Sequence, residues 1–438
     1  MMPLAVSHPP ADRPPRNAER GWLHLASLDI GPLRRHREFR LLFIGRLVST
    51  FGNMITFVAV PYQVYQLTHS VFVVGMLGLA ELAALIGFAM LGGALADAAD
   101  RRKMVLLSEA GLMAGSILLA RNSLLTHPLV WLIFVIAALQ GALDALQRPS
   151  LDALLPRLVD RDELAAAGAL GTFRGTIGMI AGPALAGVLV AAAGLPITYL
   201  VDIGTFVVGL ACLLLMRAVP PPVDAARPSI RRVVEGIRYA GSRPELIGTY
   251  VVDTVAMLFG MPMALFPAIA QGLGGPKVLG LLYAAPAVGS FLFAATSGWT
   301  GRVHRHGMGV IVAATLWGVA IIFFGLVPGL VPALTFLALA GAADAMSGVF
   351  RQVIWNQTIP DSIRGRLAAI ELLSYSGGPT LGNFEAGVVA SLFSVRTSVV
   401  SGGVLCVIGC VLCAVALPAF RRYDEREWRA RAANQPKT

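Results

Sequence analysis

Apolar stretches of roughly the 20 residues needed to cross ~30 Å of hydrocarbon recur along the whole chain, separated by short polar or basic breaks. Their approximate limits are 41–66, 73–95, 104–125, 128–148, 166–193, 196–216, 246–270, 277–299, 308–327, 331–355, 367–393 and 397–418. The pattern predicts twelve membrane helices and hence an all-α membrane protein. Composition agrees. The 438 residues are 56% hydrophobic and 14% charged, with a mean hydropathy of +0.71. A soluble domain of this length would need far more polar surface.

The pattern also repeats. Gly141-Ala-Leu-Asp144-Ala recurs as Gly341-Ala-Ala-Asp344-Ala, 200 residues later. The same offset maps Gly178, Gly182 and Gly187 onto Gly378, Gly382 and Gly387. About half of the chain therefore occurs twice in one register, which predicts two pseudo-symmetric six-helix bundles at 39–216 and 246–418. The remaining segments are an N-terminal tail at 1–38, a linker at 217–245 and a C-terminal tail at 419–438. In the linker, Ile230, Val233, Val234 and Ile237 form an apolar stripe at helical spacing. That stripe predicts an amphipathic helix lying on the membrane surface.

The net charge of +10 raises nucleic acid as a partner, and its placement argues against one. Arginines cluster in alternate breaks, at 34–37, 101–102, 157–161, 231–238, 302–305, 364–366 and 421–422. The positive-inside rule then puts both termini in the cytoplasm. Residues 1–38 are rich in Pro and Arg without an apolar core, so they read as a cytoplasmic tail and not as a cleaved signal. Arginine greatly outnumbers lysine, the mark of a GC-rich genome, and a bacterial inner membrane is the expected location. The four cysteines all lie in apolar runs, with no spacing for a metal. No phosphate-binding loop or hydrolase signature is present, so neither ATP-driven transport nor an enzyme is expected. No cofactor is expected either, only a proton gradient as energy source.

Between spans two and three the chain reads Gly93-Ala-Leu-Ala-Asp97-Ala-Ala-Asp100-Arg101-Arg102-Lys103, and span five contains Gly178-x-x-x-Gly182-Pro183-x-x-x-Gly187. The first resembles the signature loop of the major facilitator superfamily. The second is similar to the antiporter motif of its exporting drug:proton members. Ala59 to Ser70, Gly280 to Gly289 and Thr296 to Gly298 are similar to segments of the enterobactin-exporter group. The resemblance spans nearly all of 38–418. It implies alternating access by two rocking bundles. It also implies a cytoplasmic gate built from Gly93, Asp97, Arg101, Arg102, Asp144 and Arg148, and a cavity lined by spans one, four, seven and ten.

A charge at the bilayer centre is costly and marks a cavity or a partner. Glu81, in the middle of span two, is the first candidate for proton coupling, followed by Asp253 and Glu385. Asn53, Gln63, Gln140, Met261, Met263, Phe266 and Tyr283 are candidate substrate contacts. Visible mid-membrane charges are mostly acidic, which favours neutral or cationic lipophilic substrates. The reading is thus a monomeric, proton-coupled multidrug exporter whose partners are a small-molecule substrate, protons and membrane lipid. A siderophore exporter is the alternative. A proton-independent facilitator and a non-transporting scaffold or sensor come after it.

Overall fold

The computed structural model describes residues 29–98, 101–217, 235 and 238–428. Twelve membrane-crossing segments are found among them. The first six occupy Arg37–Thr68, Val71–Ala98, Arg101–Ser123, Val130–Leu158 and the two arms of Leu164–Leu215. The second six occupy Pro244–Leu273, Pro276–Thr296, His306–Leu326, Leu330–Thr358, Asp361–Leu392 and Val395–Ala416. They form the two six-helix bundles of the major facilitator fold. Residues 29 and 428, the ends of the described chain, lie on one face of the molecule, here called the termini face. The expected amphipathic helix and most of the two tails fall outside the described residues.

Two spans depart from plain helices. Spans five and six join without a loop, because Gly194 reverses the chain at φ 74°. That left-handed conformation costs glycine little. Span seven breaks at Met261-Pro262, where proline removes a backbone donor. Irregular backbone at membrane depth survives only if its polar groups find partners or face a cavity. Here Trp317 Nε1 donates to Gly260 O at 3.1 Å, Tyr283 Oη to Met263 O at 3.2 Å, and Ala264 N to Asn383 Oδ1 at 2.9 Å.

The repeated glycines explain the symmetry. A Cβ on Gly141 would run into the backbone of Glu81, so span four presses on span two. A Cβ on Gly341 would strike the backbone of Pro286, so span ten presses on span eight in the same way. Gly178 and Gly182 leave room for Thr50 and Met54 of span one, as Gly378 and Gly382 do for Met257 and Met261 of span seven. Gly187 meets Pro276 and Gly280 of the other half, and Gly387 meets Val71, Phe72 and Gly75. Small residues let membrane helices approach this closely.

Candidate substrate cavity

The halves meet where span five packs on span eight and span two on span eleven. Both seams are tight away from the termini face. Pro183 and Gly187 touch Gly280 there, and Gly75 and Gly78 touch Asn383 and Thr380. Nearer the termini, span five leaves the other half: a Cβ on Gly175, Gly171 or Gly168 would meet nothing within 4 Å. These two seams close the described interface between the halves on the side opposite the termini face.

Below the seal lies a cavity of about 600 Å³ between the halves. Its apolar wall includes Met54, Phe57, Val60, Leu77, Leu82, Leu85 and Met263. Polar groups come from both halves: Thr50, Asn53 and Gln140 on one side, Ser376, Thr380, Asn383 and Tyr283 on the other. The charged lining residues are Arg46, Glu81, Asp144 and Arg148, all from the first half. Phe57 and Tyr283 meet edge to face across the halves at 5.3 Å. Phe266 supports Tyr283 from behind at 5.0 Å.

Buried networks hold the walls. Arg46 Nη1 donates to Glu109 Oε1 at 2.5 Å, and Gln147 Nε2 reaches the same oxygen at 3.1 Å. Asp202, fully buried, accepts from Thr56 Oγ1 and Ser116 Oγ, each at 2.6 Å, tying spans one, three and six together. In the second half, Arg351 pairs with Asp253 and approaches Asp344 at 3.7 Å. Buried charges in such positions require partners of this kind.

Comparison with known proteins fits this geometry. The family model described as transmembrane secretion effector matches residues 28–436. The enterobactin exporter EntS of Citrobacter koseri is 30% identical over 408 residues, covering 92% of this chain and 96% of that one. Its counterpart in Shigella boydii is 29% identical over 410 residues, covering 93% and 97%. A bacterial homolog of the lysosomal transporter Spinster, solved in an inward-facing, unoccupied conformation, shares the fold with a TM-score of 0.70. The identity is 15%, over 88% of this chain and 98% of that one. A bacterial homologue of the iron transporter ferroportin, solved inward-facing, gives 0.64 at 19% identity, over 88% and 98%. The chain belongs to the transmembrane secretion effector family of the major facilitator superfamily.

As a secretion effector it is a transporter and not an enzyme. Of its sequence-derived cavity contacts, the structure brings Asn53, Gln140, Met263 and Tyr283 to the cavity with Glu81. Gln63 lies elsewhere, buried at 1% exposure and accepting from Tyr199 Oη at 2.7 Å. Phe266 is buried behind Tyr283, and Met261 packs beside Gly382. Asp253 sits in its ion pair, and Glu385 is half-buried away from the cavity wall.

The expected gate residues are described only in part. Asp144 and Arg148 line the cavity. Arg102 caps the end of span six through Leu213 O at 2.6 Å and Leu214 O at 2.7 Å. Gly93 lies on span two, and the side chains of Asp97 and Arg101 are outside the described residues. Gly178, Gly182, Pro183 and Gly187 form a seam against span one and span eight. The expectation of a mostly acidic cavity is corrected by Arg46 and Arg148. Both stand toward the termini end of their spans, and the depth of the cavity brings them to its wall. Asp202, in the outer third of span six, is buried among hydroxyls. The hydroxyls at Thr56, Ser116 and Thr205, on three spans, were the signal that went unread.

Proposed function

We propose that this protein exports a siderophore-class iron chelator across the bacterial inner membrane by alternating access. The observation that carries the reading is the near-full-length similarity to proteins named as enterobactin exporters. The cavity supports it. Siderophores carry many hydroxyl and carbonyl groups, and the lining offers amide, hydroxyl, carboxylate and guanidinium partners around an apolar wall.

The arginine clusters orient the termini toward the cytoplasm. The sealed face is then periplasmic and the cavity opens to the cytoplasm, the state in which an exporter loads. Inward proton flow is the driving force in this reading, with Glu81 as the cavity acid nearest mid-membrane. The protein works as a monomer, because one chain encloses the whole pathway. The apolar wall favours a second reading, efflux of lipophilic drugs.

The test uses bacterial cells that make enterobactin and lack their own exporter. Expression of the chain is expected to restore enterobactin to the medium. Restored resistance to ethidium without enterobactin release would favour the drug reading.

A further inference from the structure

Glu81 on span two and Asp144 on span four line the same cavity. Gly141 stands three residues before Asp144, on the same face of span four, and leaves no space between itself and the Glu81 backbone. The two helices touch at that point, and both carboxyls belong to the one cavity lining. Among the described residues, neither has an ion-pair partner within 4 Å, unlike Glu109 and Asp253.

Among the described residues, the groups that face the pair are few. Arg46 of span one is committed to Glu109 of span three. Arg148 stands one turn beyond Asp144, and Tyr283 of span eight closes the far side. From span eleven come Ser376, Thr380 and Asn383, with no titratable side chain among the described lining residues. Asp344, the repeat mate of Asp144, approaches Arg351 and is absent from the cavity lining. The pair is therefore a property of one half and not a by-product of the repeat.

An ionised carboxylate only accepts hydrogen bonds, while its protonated form donates one and accepts less well. A metal-free iron chelator presents hydroxyl donors of phenol, catechol or hydroxamate type. Iron binding removes those protons and leaves anionic oxygens around the metal. We propose that Glu81 and Asp144 form one acceptor site for the hydroxyl groups of a metal-free chelator, where proton and substrate exclude each other. Substrate hydroxyls keep their own protons throughout. Loading from the cytoplasm needs the carboxylates ionised. A proton arriving from the opposite side occupies an acceptor oxygen and releases the substrate. Exchange follows from that competition, and the anionic iron complex is rejected at the same oxygens. This inference rests on the siderophore-export reading.

The test measures binding of metal-free enterobactin, and of its gallium(III) complex, to the purified full chain in lipid nanodiscs from pH 5.5 to 7.5. For the wild type, the dissociation constant is expected to rise as pH falls, by up to about tenfold per unit for one competing proton. The gallium complex is expected to bind at least tenfold more weakly, a comparison that needs no variant. The Glu81→Gln/Asp144→Asn double variant keeps carbonyl acceptors and is expected to bind with no pH slope. Equal binding of the gallium complex, a flat wild-type profile, or an unchanged slope in the double variant would each overturn the pair and leave the export reading standing. No binding of either form by the wild type would overturn the siderophore reading and this inference together.

Discussion

The two halves share a backbone plan and differ in chemistry. Equivalent glycines make equivalent contacts: Gly141 and Gly341 within each half, Gly187 and Gly387 between halves. The polar groups do not follow. Among the described residues, the first half carries every charged residue of the cavity lining, backed by hydrogen-bonded networks around Glu109 and Asp202. The second half holds Arg351 between Asp253 and Asp344, a polar group around Glu425 with His306 and Gln357 toward the termini face, and aromatic packing at the cavity, with Phe266 between Tyr283 and Phe324. Packing is retained by the repeat because a Cβ there would strike backbone, which cannot move aside. Side chains facing the cavity are free of that constraint, and one half has become the charged wall.

The strongest challenge to this contrast is to remove a buried cation in each half. Arg46→Ala and Arg351→Ala each strand a carboxylate, at a cost of about 3–5 kcal/mol. Both are expected to lower the unfolding temperature in detergent sharply. A large loss from one and none from the other would mean that the two ion pairs are not equivalent supports.

Gly141→Val and Gly341→Val come next, because each forces a side chain into the backbone of its neighbour. Overpacking costs about 1–3 kcal/mol or more, and the two variants are expected to lose folded protein to a similar extent by size-exclusion profile. Unequal losses would show that the repeat is geometric in name only.

The third pair separates chemistry from architecture. Asp144→Asn is expected to cut gradient-driven transport sharply, since an ionisable group in a membrane cavity marks a functional site. Asp344→Asn is expected to act on thermal stability instead, since its neighbour is Arg351. Transport rates in vesicles, set beside melting curves, distinguish the two.

The smallest effect is expected at Tyr199→Phe, which removes one hydrogen bond to Gln63 worth about 1 kcal/mol. Transport is expected to persist, because Gln63 is buried away from the cavity.

The spans and the repeat were legible because membrane length and glycine register are written directly in residue order. Cavity membership was only partly legible, for a physical reason. In a membrane protein both the lipid face and the packed face of a helix are apolar, so periodicity does not say which way a polar residue points. Asn53 and Gln140 were placed from their spans and do line the cavity, as does Tyr283 of span eight, whereas Gln63, on the same span as Asn53, turns toward Tyr199. Arg46 and Arg148 reach the wall because the cavity extends further toward the termini than span midpoints suggest. The break in span seven had a visible cause in Pro262. Its acceptance depends on Trp317, Tyr283 and Asn383, which lie far along the chain.

The most direct test of the account is uptake of metal-free enterobactin into inside-out vesicles containing the protein, with and without an acid-interior proton gradient. The account predicts accumulation that requires the gradient and collapses when an uncoupler is added. Uptake of the same size without a gradient, or uptake of ethidium alone, would contradict it.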